Sequence, residues 1–238
     1  LGGEDLSALA AEQAALRRVA ALVARGAAPE EVFAAAVEET GRLLAVEYAG
    51  MGRYEPDHSV THLAAWGTAF ERVPSGSQLT LGGKNLATIV FESGRPARID
   101  NYADASGPLG VAAREVGARS AVATPIIVEG RLWGVMGAGS TLEQPLPADT
   151  EARLASFTEL LATTISNAES RAGVTRLAAD QAALRRVATL VARGVPPEDV
   201  FAAVVEEVGR LLPVDFADLG RCEPDGTFTF LAGWGKTR

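Results

Sequence analysis

Apolar residues open the chain at helical spacing. Leu6, Leu9, Leu16, Val19 and Val23 recur three, four or seven positions apart, and Gly26 follows as a left-handed stop. Pro29 then starts a second helix with Glu30 and Glu31 in its first turn, where acids favour the positive end of the helix. Its apolar positions are Val32, Phe33, Val37, Leu43 and Leu44. The pattern next changes to short extended runs. One ends at "RYEPDHS", whose Pro and Asp are turn formers, and the next ends at Trp66-Gly67, which predicts a β-hairpin. A lone hairpin is marginal in water, so this one needs further strands against it.

The following hundred or so residues supply them. "NLATIVFESG", from Asn85, reads as a helix stopped by Gly94, "RPARIDNY" as a short strand after Pro96, and "LGVAAREVG" as another short helix. "RSAVATPIIVEGRLWGVMGAGST", from Arg119, gives two strands joined at Glu129-Gly130. Between Val46 and Thr141 this makes about five or six strands with helices inserted on one side, an antiparallel α+β sheet.

From Ala148 to Arg193 the sequence has no proline and reads as one helix of about 70 Å. Its apolar positions Leu154, Phe157, Leu161, Thr164 and Ala168 are offset by one from the later Leu177, Gln181, Leu184, Ala188 and Val191. The change falls near Gly173, where a bend or a change of packing partner is expected. An apolar stripe on a long linking helix calls for a partner helix, and a homodimer through the N-terminal and connecting helices is expected.

The chain also repeats itself. Residues 10 to 67 align without a gap with 178 to 235, and about 40 of the 58 pairs are identical. Gly194, Pro197, Glu198, Asp199 and Trp234 reproduce the signals of the first block. The expected organisation is a complete domain over 1–170, a connecting helix over 171–193, and the N-terminal part of a second, truncated copy over 194–238. Near-identity with residues 10 to 67 also makes strand exchange, within or between chains, an alternative for that second hairpin.

Composition narrows the partners. The 238 residues are 47% apolar and 22% charged, with a net charge of −8, which describes a folded chain without a broad nucleic-acid footprint. Arg17-Arg18 and Arg185-Arg186 sit beside acids on helix faces. Uncharged apolar runs such as "SAVATPIIV" fall far short of the roughly 20 residues that cross a bilayer, and "LGGEDLSAL" does not read as a secretory signal. One cysteine, Cys222, permits no intrachain disulfide and fits a reducing compartment, so a cytoplasmic location is expected.

"GRPARIDNYADASGPLG" from Gly94, "RSAVATPIIVEGRLWGVMGAGST" from Arg119 and "LPADTEARLASFTELLATTISNA" from Leu146, with the block from residue 10, resemble the GAF family of cytosolic sensory domains. The likeness is greatest to tandem copies that precede the catalytic core of bacterial, actinobacterial-type sensor histidine kinases. It implies a central antiparallel sheet with its first and last helices on one face. A ligand pocket lies on the other, roofed by the middle helices and loops. On that mapping the ligand-binding candidates are Trp66, at the end of a strand near the rim, and Asp100, Asn101 and Tyr102 in the pocket-side loop. Structural roles compete at all four: Trp234 repeats Trp66, which favours packing there, and Tyr102 also reads as a loop anchor.

Ligand classes known in the family find little support in the residues. The histidines are His58 and His62, the first in a turn, which is poor provision for a haem. A covalent bilin needs a cysteine near the pocket, whereas Cys222 lies in the second copy, matched to Tyr54. The cyclic-nucleotide pattern is not recognisable, since Lys84-Asn85 is reversed and no Asp-Glu follows Phe91 at the required spacing. "LGGKN" lacks the first glycine and the final Ser or Thr of a phosphate loop. No zinc-ligand spacing and no paired catalytic acids occur. The expectation is therefore no catalytic residue, metal or cofactor. It is a cytosolic sensory module that binds an unidentified small molecule or partner and signals through a dimeric helix to an output domain, first of all a histidine kinase in two-component signalling. A ligand-free dimerisation and spacing scaffold is the alternative.

Overall fold

A computed structural model describes residues 3–67 and 73–235. They divide into two units, Leu1–Ala168 and Glu169–Arg238.

The first unit starts with α1 (Gly3–Ala24) and α2 (Pro29–Leu43), the latter with Pro at its first turn, Glu30 and Glu31 behind it and Arg42 in its last turn. Strands β1 (Tyr48–Tyr54) and β2 (Ser59–Trp66) form the expected hairpin, and β3 (Gln78–Thr80) adds at its edge. Helix α3 (Leu86–Ser93) is capped by the Asn85 side chain, which accepts from the Thr88 N–H, and ends on Gly94 at φ 62°. Strand β4 (Ala97–Ile99), a 3₁₀ turn at Tyr102–Asp104 and α4 (Gly107–Glu115) follow. Strands β5 (Ser120–Val128) and β6 (Arg131–Ser140) are joined by Glu129 and Gly130, both at positive φ (50° and 76°), as a primed hairpin turn requires. All pairings are antiparallel, in the order β3-β2-β1-β6-β5-β4.

The sheet separates two cores. Val19, Val32 and Val37 from α1 and α2, and Leu154, Phe157 and Leu161 from the long helix α5 (Thr150–Ala192), cover Val122, Ile126 and Met136 on one face. Leu86, Val90 and Tyr102 cover Tyr48, Ala121, Ala123 and Val135 on the other. The first and last helices thus share one face, and α3 and α4 roof the other. Arg18 ties α1 to α2 by donating from Nε and Nη2 to Glu39 at 2.6 and 2.5 Å, and this pairing holds the Glu39 carboxyl below its ordinary pKa.

The second unit holds the later part of α5, then α6 (Pro197–Leu211), β7 (Phe216–Cys222) and β8 (Phe228–Gly235). The sequence repeat is a structural repeat in detail. Arg186 donates to Glu207 at 2.6 and 2.7 Å as Arg18 does to Glu39. The β7–β8 register slips between Leu219 and Gly220, as β1–β2 does between Met51 and Gly52. Strands β7 and β8 form a separate two-stranded sheet. Phe216, Phe228 and Phe230 stand 55%, 63% and 61% exposed, whereas the matched Tyr48 and Val60 are 8% and 5% exposed under the cover of α3 and α4. No helix of the described residues is long and apolar enough to cross a membrane.

Candidate functional site

The roofed face of the first sheet borders a cavity of about 190 Å³ that is partly open to solvent. Its floor is built from small residues. Gly50 and Gly52 of β1 border it beside Tyr48, Val60 and Val135, and Leu86, Leu109 and Ala113 reach in from α3 and α4. Gly52 is a packing requirement, because a Cβ there would stand 2.6 Å from Cγ2 of Val60. Gly50 and Gly52 put no side chains into the pocket, and the Val60 side chain fills the place above Gly52.

The roof is fastened at its loops. Ser106 N–H donates to the Lys84 carbonyl at 3.0 Å, and Lys84 N–H donates to Ser106 Oγ at 2.8 Å. Gly83, at φ 78°, and Gly107, at φ 76°, let the two backbones cross where a side chain on either would collide with the other strand of chain. Asn85 completes the clasp, donating from Nδ2 to the carbonyls of Gly82 (2.9 Å) and Ser106 (3.3 Å) while its Oδ1 caps α3. The "LGGKN" stretch is therefore an anchor point of the roof. Tyr54 holds the same first turn of α3, donating to the Ala87 carbonyl at 2.7 Å, and meets Phe91 further along the helix edge-on at 5.0 Å.

Polar groups at the cavity are few: the phenols of Tyr48 and Tyr102, the His62 imidazole and the Asn85 amide. Burial pushes both phenols well above the ordinary tyrosine pKa, so each is a neutral hydroxyl at physiological pH. The amide of Asn85 is occupied by its three backbone contacts. His62 Nδ1 lies 3.3 Å from the Pro74 carbonyl. Among the described residues no three His, Cys, Asp or Glu side chains gather as a metal site.

The residues singled out from sequence do not share one site, although Asn101 and Tyr102 together border a second, more polar pocket with Arg114 and Arg119. Tyr102 lies at the cavity, 5% exposed, with its N–H bonded to the Arg119 carbonyl at 3.1 Å. Asn101 is next to it but turned outward, its Oδ1 accepting from Ala103 N–H at 2.9 Å to start the 3₁₀ turn. Asp100 is exposed and lies 3.6 Å from Arg98. Trp66 is on the opposite face, packed against the helix-side core with its indole over Gly41 of α2. The structure thus brings only Tyr102 of the four to the cavity.

Tyr48, Val60 and His62 stand there instead, and the sequence held a signal for them in the repeat. Of the β1 and β2 residues bordering the cavity, Tyr48, Gly50, Met51, Val60 and His62 become Phe216, Asp218, Leu219, Phe228 and Phe230, and only Gly52 is kept as Gly220. On the helix face Val32, Phe33, Val37, Gly41, Leu44, Val46, Ala49, Ala64 and Trp66 are all identical in the second block. The blocks differ at nearly every cavity position and keep most of the helix-side core, where Ala36 and Met51 change only to the apolar Val204 and Leu219.

A second structural link leaves the cavity region. Arg98 of β4, four residues before Tyr102, donates to both Glu151 oxygens (2.6 and 2.5 Å) and to the carbonyls of Leu146 and Pro147 (each 2.8 Å). It therefore holds the first turn of α5 and the segment entering it. The bidentate guanidinium keeps the Glu151 carboxyl below its ordinary pKa.

Comparison with known proteins agrees with this architecture. A GAF domain family model matches residues 26–168. The phycoerythrobilin-bound GAF domain of a cyanobacterial phytochrome aligns at a TM-score of 0.56 and 16% identity, covering 67% of this chain and 97% of that one. The GAF domain of an Acinetobacter phosphoenolpyruvate-protein phosphotransferase gives 0.55 and 14%, with 68% and 97% covered. A bacteriophytochrome from the photosynthetic bacterium R. palustris gives 0.64 and 15%, covering all of this chain and 51% of that protein. At these identities the likeness is one of fold. No curated protein matches the chain.

Proposed function

This chain belongs to the GAF family, and from that membership we propose that its first unit is a sensory domain that binds a small molecule under α3 and α4 and reports the binding through α5. The observation that carries the reading is the roofed cavity, with its glycine floor and its few polar groups in an apolar wall, the form of a small-molecule site. The contrast between the two repeats supports it: the helix-side core changes little and stays apolar, whereas the cavity side changes at five of its six β1 and β2 positions. A bilin like that of the phytochrome neighbour does not suit this cavity. A linear tetrapyrrole exceeds 190 Å³, and Cys222 belongs to the second unit.

The Arg98 contacts supply the route outward. A ligand that moves Tyr102 pulls on the strand that carries Arg98, and Arg98 grips the start of a 43-residue helix. Along the later part of that helix Val174, Leu177, Leu184 and Val191 are 58–71% exposed. With Gln181 and Ala188 they alternate at three and four residues, the seam of a two-stranded coiled coil. We read this seam as a homodimer contact, and the second unit as the start of a second GAF copy leading to an output domain such as a histidine kinase. A ligand-free dimerising spacer is the second reading, favoured by the same exposed seam.

The two readings separate in a fragment screen by methyl NMR. Sensing predicts fragments that shift the methyls of Val60, Leu86, Leu109 and Val135, and no such shifts in a Val60→Phe variant. A library that leaves these methyls unmoved in the parent chain supports the spacer.

A further inference from the structure

We propose that the cavity of the first unit selects an uncharged, mainly hydrocarbon molecule that carries one hydrogen-bonding group. This rests on the sensory reading above and adds the chemical class of the ligand.

The wall argues for the class directly. Val60, Leu79, Leu86, Leu109, Val116 and Val135 give it an apolar surface, and no Lys, Arg, Asp or Glu borders it among the described residues. A carboxylate or phosphate entering such a space loses its hydration and meets no lysine or arginine among the described residues, with the His62 imidazole as the one basic side chain at the wall. An ion left without a charged partner costs several kcal/mol even after relaxation. An apolar body loses nothing comparable, and apolar cavities accept such molecules readily. The space of about 190 Å³ is roughly six waters' share of liquid volume, so the molecule is compact.

The polar groups set the remainder. Asn85 is committed to the roof clasp, His62 Nδ1 lies 3.3 Å from the Pro74 carbonyl, and Tyr48 and Tyr102 are neutral hydroxyls that burial keeps further from ionisation. The hydroxyl of Tyr48 lies against Gly139, where a Cβ would overlap it, so this ring is fixed in place by the neighbouring strand. Hydroxyls that serve as donor or acceptor recognise a single hydroxyl, amide or ring N–H, and they do not neutralise a charge. The second repeat makes the same point by contrast. At the position of Gly50 it carries Asp218, so a charge is introduced on that face in one block and left out in the other.

The test uses the whole chain and three matched pairs of probes: indole and indole-3-carboxylate, 4-methylphenol and 4-methylbenzoate, 1-hexanol and hexanoate. Isothermal titration is expected to show binding of at least one neutral member, and its anionic counterpart at least tenfold weaker. Tyr102→Phe should weaken the neutral ligand three- to tenfold. Val60→Phe should abolish binding while the circular dichroism spectrum is kept, and Ala112→Leu, which fills the space from α4, serves as the independent blocking variant. Anions bound as tightly as their neutral partners, or neutral binding that survives both blocking variants, would overturn the proposal. The fragment screen separates the two levels: if the cavity takes only charged fragments, the ligand class is wrong and the sensory reading stands, whereas if it takes none, the sensory reading itself has failed.

Discussion

The indole of Trp66 occupies the space into which a Cβ of Gly41 would project, and Trp234 occupies the same space over Gly209. One tryptophan at the end of each hairpin thus locks a strand to the helix before it, at a point where the helix has no side chain. The pairing is repeated exactly as the sequence is, and it belongs to the fold on the face away from the cavity.

Gly41→Ala therefore forces the indole out of its seat. Overpacking of this kind costs about 1–3 kcal/mol. Urea unfolding followed by tryptophan fluorescence should show the unfolding free energy lowered by that amount and the midpoint shifted to lower urea, and cavity binding should persist at temperatures where the variant remains folded.

Val60→Phe imports the residue of the second repeat into the first. In the second unit the Phe228 ring lies over Gly220, so a phenylalanine at this strand position is compatible with a glycine at the matched position. The variant should keep its melting temperature within a few degrees and lose ligand binding. Loss of both together would mean that the cavity is too tight for the ring.

Arg98→Met removes four hydrogen bonds at the start of α5. Hydrogen bonds of charged groups are worth about 1.5–3 kcal/mol each in favourable cases, and partial exposure at this site lowers that, so a total loss of about 2 kcal/mol is expected. The pH dependence follows from Glu151, whose folded pKa is depressed by Arg98 below the ordinary 4.5. A depressed carboxylate stabilises fully above its unfolded pKa and loses that contribution as pH falls through the folded value. Chemical denaturation between pH 6 and pH 3 should therefore show a shallower decline for Arg98→Met than for the parent chain.

Leu177→Glu with Leu184→Glu places charge on the exposed seam of α5, where the parent residues are 58% and 71% exposed. Sedimentation equilibrium should give a dimer for the parent and a monomer for the double variant, with equal helix content in the first unit. A monomeric parent at high concentration would remove the dimer from the account.

Much of this fold is written in local signals. Gly26, Pro29, Gly94 and Glu129-Gly130 mark helix ends and a hairpin turn in the chain and are found doing so in the structure. Strand β3 is three residues long, too short for an alternating pattern to show. The site was harder to read, and Trp66 shows why. Strict alternation from Val60, which faces the cavity, carries Trp66 to the same side. The register slips where Met51 pairs with Ala64 and Gly52 with His62, so Leu63 is an extra residue and every later side chain in β2 changes face. A bulge of that kind leaves no mark in the hydrophobic pattern. Asp100 and Asn101 failed to reach the cavity for a local reason, because a 3₁₀ turn begins there and turns Asn101 to its own backbone. The positions at which the two repeats differ include Tyr48, Val60 and His62, a signal in the sequence that becomes readable only once the cavity is known.

The central claim joins the cavity to the long helix, and one methyl NMR experiment tests both ends. With the cavity saturated by a neutral fragment, the account predicts shifts at Val60, Leu109 and Val135 together with Leu154, which lies buried on α5 one turn beyond Glu151. The Leu154 shift should vanish in Arg98→Met while the cavity shifts remain. Cavity shifts with Leu154 unmoved in the parent chain would contradict the claim.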